Sequence, residues 1–84
     1  MADEKELGVV SHYYTKLKVA IIKLKDVLNV DDEIHVLGHT SDFKQKVDSM
    51  QIEHDKIESA KKGKVIGLKV KKHVREGDTV YKLV

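Results

Sequence analysis

The sequence predicts an all-β domain, a small six-stranded antiparallel β-barrel. Apolar and polar residues alternate with a period of two in several segments, which is typical of strands that bury one face. No segment keeps the 3.6-residue apolar period of a three-turn helix. Six short antiparallel strands leave two unpaired edges unless the sheet closes on itself, so we expect a closed or nearly closed barrel.

The strand assignment follows the alternating segments. Residues 17–24 place Ala20, Ile22 and Leu24 on one face, and residues 33–38 place Ile34 and Val36 on one face. Turn-forming residues connect the segments at 29–32, 38–42, 61–63 and 76–78. The predicted strands are residues 6–14, 17–24, 33–38, 46–53, 64–71 and 79–83.

Two connections repeat one pattern. In "NVDDEIHVL" (29–37) and "REGDTVYKL" (75–83), a turn that ends in Asp precedes an alternating strand. We expect the residue before that Asp to adopt a left-handed conformation. Gly77 does so freely, whereas the same conformation costs Asp31 on the order of 1 kcal/mol.

Composition indicates one folded domain in a chain of 84 residues, with 40% hydrophobic and 36% charged residues. We assign residues 1–5 to a short acidic tail and residues 6–84 to the domain. The chain contains no cysteine, which excludes disulfides, thiolate nucleophiles and cysteine metal ligands. The start "MADEKELG" lacks the pattern of a signal peptide, and no apolar run approaches the ~18 residues of a membrane helix, so we expect a cytoplasmic protein without membrane contact.

Several segments, taken in order, resemble a known family. They are a strand with Gly8 and Val10, the alternating strand of Ala20 and Ile22, and then "VLNVDDEIHVLG" (27–38), "VDSMQIEHDKIESAKKGKVIGLKV" (47–70) and "REGDTV" (75–80). Together they resemble the second domain of the translational GTPases, the β-barrel that follows the GTPase domain in elongation factor Tu. The resemblance covers almost the whole chain, with Asp31 at a position where that family usually has Gly.

The resemblance implies a stand-alone, non-enzymatic module that binds transfer RNA, ribosomal RNA or a ribosome-associated protein. The chain has no G-x-x-x-x-G-K-[ST] phosphate loop, so we expect it to bind no GTP itself. The same barrel shape also occurs as an accessory domain in some peptidases of the U32 type, so the fold alone is a weak guide to activity.

Two sets of residues are candidates for binding. The first is a cluster of basic residues with no acidic residue between them. It could bind the phosphate backbone of RNA, or it could simply be a solvated outer face. Its members are Lys61, Lys62, Lys64, Lys69, Lys71, Lys72 and Arg75. The alternative is a protein-interaction module that docks through an edge strand or through a second apolar face made by Leu17, Val19 and Ile21.

Other chemistry has weaker support. His35 and His39 have the spacing of metal ligands only if they lie on a helix, and Ser11-His12 lacks a third orienting group that the sequence can place. We therefore expect no metal, no cofactor and no catalysis. A minor alternative is a lipoyl or biotinyl carrier domain acylated on Lys56, although the spacing of Lys56 from Gly63 and Gly77 argues against it.

Overall fold

The computed structural model describes residues 3–39, 41–53 and 55–83, and these form ten β-strands. Within these ranges no helix is long and apolar enough to cross a membrane. The strands are β1 (Glu4–Tyr14), β2 (Val19–Lys23), β3 (Leu28–Asn29), β4 (Glu33–Leu37), β5 (Asp42–Lys46), β6 (Met50–Ile52), β7 (Asp55–Ile57), β8 (Ser59–Ala60), β9 (Val65–Lys69) and β10 (Thr79–Leu83).

Eight of the strands form one antiparallel sheet that curves into a half-barrel. Their order is β5-β4-β10-β1-β2-β9-β6-β7, and β3 pairs with β8 in a separate two-stranded ladder. Within the described ranges no strand ladder joins the two end strands, β5 and β7. The sheet is therefore open, with β1 near its middle.

The long strand β1 bends the sheet. Its first half pairs with β10 and its second half with β2, and the register shifts once in each half. Such irregularities bend a strand and increase its twist. At the bend a Cβ on Gly8 would collide with the carbonyl oxygen of Lys23, so this close approach requires glycine.

The inner face of the curved sheet holds one apolar core. Strand alternation supplies most of it, since the core residues that β2, β4 and β9 contribute are every second residue of each strand. The core residues are Leu7, Val10, Ala20, Ile22, Leu24, Leu28, Ile34, Val36, Phe43, Val47, Met50, Ala60, Ile66, Leu68, Val70, Val74 and Val80.

The two turns predicted from the repeated pattern have the same structure. In each, the Asp side chain accepts a hydrogen bond from the backbone N–H three residues earlier, from Asn29 to Asp32 at 2.8 Å and from Arg75 to Asp78 at 3.0 Å. The residue before the Asp has a positive φ, 77° at Asp31 and 94° at Gly77. The predicted left-handed conformation is confirmed at both positions.

One side chain ties the end strand β5 back to the sheet. Gln45 is 7% exposed, and its Nε2 donates to the carbonyl oxygen of Lys69 at 3.1 Å. Its Oε1 accepts from the backbone N–H of Lys71 at 2.8 Å. The amide thus links β5 to the backbone at the C-terminal end of β9.

The prediction of an all-β antiparallel fold is confirmed, but the prediction of a six-stranded closed barrel is wrong. The main sheet has eight strands and is open. The predicted strand 46–53 spans the end of β5, a break and β6, while the predicted turn 38–42 ends where β5 begins. β5 was missed because its two buried residues are Phe43 and the polar Gln45, which hide the alternation.

The strand β1 begins inside the predicted acidic tail of residues 1–5. Glu4 pairs with Leu83 and Lys5 pairs with Lys82, so both residues belong to the ladder between β1 and β10. Met1 and Ala2 lie outside the described residues.

Candidate functional site

The predicted partner-binding residues Leu17, Val19 and Ile21 line one groove on the outer face of the sheet. The groove has a volume of about 460 Å³. We call it the outer groove; its lining residues are Tyr14, Leu17, Val19, Ile21, Gln51, Ile52, Glu53, Val65, Ile66 and Gly67.

The outer groove is built by the strands β2, β9 and β6. Their inner residues, such as Ile22 and Leu68, are fully buried, so the alternate residues point outward. Ile21 and Gln51 both lie opposite Gly67 in the two ladders of β9. Gly67 has no side chain, and Val19 and Gln51 pack closely over it to form the floor of the groove at this point.

Apolar side chains with large exposed fractions form the rim of the outer groove. Leu17 is 59% exposed, Val65 53% and Tyr14 47%. Leu17 lies in the tight turn between β1 and β2, where the N–H of Lys18 donates to the carbonyl of Tyr14 at 2.8 Å. The backbone of this turn therefore holds Leu17 beside the sheet.

Lysines flank the outer groove at opposite corners. Lys69 lies opposite Val19, and Lys23 lies opposite Val65, in the ladder between β2 and β9. Within the described ranges, no ion pair involves either lysine. The groove is thus a largely apolar surface with a lysine beside two of its corners and one carboxylate, Glu53, in its lining.

The basic cluster predicted from the sequence is divided in space. Lys61, Lys62 and Lys64 surround the turn before β9, and the other members lie at or beyond its C-terminal end. The five residue steps from Lys64 to Lys69 span roughly 17 Å, so the two groups do not form one compact patch. All seven predicted residues are exposed: Lys61, Lys62, Lys64, Lys69, Lys71, Lys72 and Arg75.

The two groups have different neighbours. Lys62 lines a second groove of about 410 Å³, which also contains Lys23, Lys25 and Val9. At the other end, the Nζ of Lys72 lies 5.8 Å from the centre of the Phe43 ring on β5. Lys25 forms an ion pair with Glu6, which reduces the positive charge of the second groove.

His35 is the centre of a polar cluster that the sequence did not reveal. Its Nδ1 lies 3.0 Å from Glu4 Oε2, and its Nε2 lies 2.6 Å from Asp42 Oδ1. The hydrogen bond with Asp42 raises the pKa of His35 above 6.5; burial opposes the rise, and the hydrogen bond and charge of Glu4 add to it. The cluster joins β1, β4 and β5. The sequence lacked any signal for it because Glu4 is 31 residues away.

The pairs considered for catalysis or metal binding have other partners. The Ser11 hydroxyl donates to the carbonyl of Ile21 at 3.1 Å, and His12 contacts Glu76 at 3.1 Å. In the described part of the chain, no three His, Asp or Glu side chains are arranged to hold a metal ion.

Comparison with known proteins shows which longer proteins contain a similar segment. No protein-family model matches the chain. It is 44% identical over 79 residues to a protein of Methanocaldococcus jannaschii named as an uncharacterized protease. It is 35% identical over 72 residues to a collagenase of Porphyromonas gingivalis. The chain spans 19% and 20% of the length of these two relatives.

The fold matches that of a solved C-terminal domain. Two crystal structures of the C-terminal domain of a Geobacillus thermoleovorans protein, described as a U32 peptidase, superpose on this chain with TM-scores of 0.84 and 0.83. Each superposition covers 90% of this chain, with 96% and 89% of the solved domain. The sequence identities are 18% and 19%, so this likeness establishes the fold alone.

These comparisons overturn the prediction of a translation-factor-like protein. The relatives are named as a protease and a collagenase, and the solved structures are C-terminal domains of a U32 peptidase. The prediction of a stand-alone RNA-binding module of protein biosynthesis is therefore wrong, and the comparisons favour neither the stand-alone interaction module nor the carrier domain. The residues that suggested the translation family, such as Gly8 and Asp78, serve the bend of β1 and a turn. They report backbone geometry rather than a ligand.

Proposed function

We propose that this chain is the accessory β-domain of a U32-type peptidase and that it does not itself hydrolyse peptide bonds. One observation carries the proposal: the chain corresponds almost completely to one part of a longer protein. The sequence match includes 93% of this chain but 19% of the M. jannaschii relative, and the structural match includes 96% of an isolated C-terminal domain.

The arrangement of polar side chains supports a non-catalytic role. Ser11 donates to a backbone carbonyl, and the carboxylates beside His35 are held by the imidazole. A hydrolytic site requires a nucleophile or an activated water next to a base, together with donors for the developing oxyanion.

A domain exchange tests the proposal. The 79 matched residues of the M. jannaschii relative are replaced by this chain, and the exchanged protein is compared with its parent and with this chain alone. We expect the exchanged protein to fold as one species and to cleave labelled gelatin as its parent does. The chain alone should show no cleavage.

Two results contradict the proposed function. One is hydrolysis of labelled gelatin by the purified 84-residue chain. The other is an exchanged protein that aggregates or fails to fold, although the chain alone shows a cooperative β-sheet unfolding transition. Circular dichroism and sedimentation velocity distinguish the folded protein from the aggregated one.

A further inference from the structure

We propose that the outer groove is the surface on which the rest of the U32-type protein docks, and that it takes an extended apolar segment with an acidic residue at each end. The inference rests on the proposed function and adds the site and chemistry of the contact. The strand order and the mere presence of two grooves do not by themselves indicate a docking surface. It follows from the exposure, shape and charge of the outer groove.

The exposed apolar side chains of the groove lie together. Leu17, Val65 and Tyr14 are each at least 47% exposed, and they surround the more covered Val19 and Ile21. Scattered exposed apolar residues are common on any protein, but a continuous apolar surface with polar residues around it marks a contact site. Covering this surface with another apolar segment would therefore stabilise the folded domain.

The shape of the groove fits a strand-like segment. A Cβ placed on Gly67 would lie 3.0 Å from Val19 Cγ1 and 3.2 Å from Gln51 Cγ, closer than ordinary contact, so the glycine allows these two side chains to pack over the strand. Val19 and Gln51 therefore form the floor of the groove at Gly67, and the more exposed Leu17 and Val65 stand at its rim. An extended polypeptide can lie across it with alternate side chains pointing to the floor.

The charges define the ends of the segment. Lys23 lies next to Val65 and Lys69 next to Val19, so a positive charge stands at each diagonal corner. Glu53 is the one carboxylate among the lining residues. The four residue steps from Val65 to Lys69 span about 13 Å, the length of four or five residues of extended chain. A docked segment with two acidic residues about that far apart could place one beside Lys23 and one beside Lys69, and the apolar residues between them would cover the groove.

The occupant is the remainder of the longer protein because the relatives are about five times as long as this chain. A domain joined covalently to its partner has a high effective concentration for that contact. A modest apolar groove therefore suffices for docking, whereas a contact between separate proteins commonly needs more than ~1,000 Å² of buried surface.

The test measures the stability of this domain inside the exchanged M. jannaschii protein and on its own. Hydrogen exchange at increasing guanidinium concentration, read by mass spectrometry, gives an unfolding midpoint for peptides of this domain in both proteins. Docking should raise the midpoint in the exchanged protein. The rise should be lost in Leu17→Lys and in Val65→Lys, while neither substitution should change the midpoint of the isolated chain.

Matched substitutions serve as controls. Val9 is a strand valine that is 43% exposed and lies outside the outer groove, so Val9→Lys should keep the rise in midpoint. Lys23→Glu combined with Lys69→Glu should reduce the rise, whereas Lys44→Glu on β5 should not. Added salt should reduce the rise in the unsubstituted protein, since the corner charges are exposed.

Three outcomes overturn the inference. The first is a rise that persists in Leu17→Lys and Val65→Lys, and the second is a domain that unfolds at the same midpoint in both proteins. The third is an isolated chain that sediments as a dimer and becomes a monomer on Leu17→Lys, which would assign the groove to a second copy. In each case a correctly folded and active exchanged protein leaves the proposed function intact.

Discussion

Two residues take the left-handed conformation at equivalent positions of two turns, and they differ in how well they tolerate it. Asp31 has φ 77° and Gly77 has φ 94°. A side chain in this conformation approaches its own backbone too closely, which costs about 1–2 kcal/mol for most residues. Glycine avoids this strain but loses more backbone entropy on folding. The first turn is therefore strained where the second is not.

We predict that Asp31→Gly stabilises the domain. The relief of strain exceeds the extra entropy lost by glycine, and the expected net increase in the free energy of unfolding is roughly 0.5–1 kcal/mol. Asp31 is exposed, so the substitution removes little packing. Urea denaturation followed by circular dichroism measures the difference.

The control for this prediction is Asp48→Gly. Asp48 is also exposed, and its φ is not positive, so glycine there should lower stability or leave it unchanged. The reverse substitution, Gly77→Ala, should destabilise the domain by about 1 kcal/mol, although a Cβ at Gly77 meets open space. Equal effects of Asp31→Gly and Asp48→Gly would contradict the role of the conformation.

The end strand β5 depends on one polar residue for its contact with the far side of the sheet. Gln45 lies at a buried position of the strand, and its amide bonds both to the carbonyl of Lys69 and to the N–H of Lys71. A buried backbone group without a partner costs as much as a lost hydrogen bond. The strand β5 is thus held in place by a side chain that bonds to backbone groups at and just beyond the end of β9.

We predict that Gln45→Leu, which keeps a side chain of similar size, destabilises the domain by about 1–3 kcal/mol. The substitution removes the partners of two backbone groups while leaving the apolar packing of Phe43 in place. Gln51→Leu is the matched control, because Gln51 is only partly buried and lies on the outer face; it should change stability by less than about 0.5 kcal/mol. Denaturation of both variants in urea compares them, and similar losses would show that Gln45 contributes no more than its volume.

Most of the strands were predictable from the sequence, whereas β5, in which Gln45 hides the apolar alternation, and three very short strands were not. Each of the six predicted segments overlaps a strand of the structure, because alternation over five residues is visible without knowledge of the neighbours. The strands β3, β7 and β8 have two or three residues and show no period. Whether the sheet closes depends on which strands pair, and the amide of Gln45 does not appear in a hydrophobic pattern.

At the scale of the whole molecule, two similar units, each a turn followed by a strand, meet at the pairing of β4 with β10. The turn 29–32 exchanges two backbone hydrogen bonds with Val47, and the turn 75–78 exchanges the corresponding two with Val10. The strands that leave these turns pair with each other, and His35 lies opposite Tyr81 at the same number of residues from its turn. The repeated sequence pattern thus predicted the turns but not their relation in space.

The outer groove shows the same limit of sequence reasoning. Leu17, Val19 and Ile21 were predicted as an apolar face because they alternate along one segment. Val65 and Gly67 were missed as members of the site, although they lie beside that face, since only the register of β9 against β2 places them there. A surface made by three strands is a property of the folded molecule.

His35 lies on β4, where the two turn-and-strand units pair, and its side chain contacts residues of three other strands. It contacts Glu4 on β1 and Asp42 on β5, and its ring centre lies 6.3 Å from that of Tyr81 on β10. Both ring nitrogens can donate to carboxylates only when the imidazole is protonated. Global unfolding breaks all these contacts at once, so the protonation of His35 is coupled to the stability of the whole domain.

We predict that this coupling makes the domain less stable as the pH rises above 6.5. The pKa of His35 in the folded state is raised above its ordinary value of 6.5, so the folded protein binds more protons than the unfolded chain between the two pKa values. The stabilisation is complete below pH 6.5 and is lost as the pH rises through the pKa of the folded state. Urea denaturation at a series of pH values from about 5.5 to about 9, a range that begins below 6.5 and extends above it, measures the loss of stability.

His35→Gln isolates the effect of this one group. Glutamine retains a polar side chain between Glu4 and Asp42 but does not titrate, so the variant should lose most of the pH dependence that the unsubstituted domain shows in this range. His12→Gln is the matched control, because His12 also contacts a carboxylate, that of Glu76, but its side chain is 50% exposed compared with 13% for His35. An exposed pair contributes little, so His12→Gln should keep the pH dependence. If His35→Gln kept it instead, the coupling would lie with other groups.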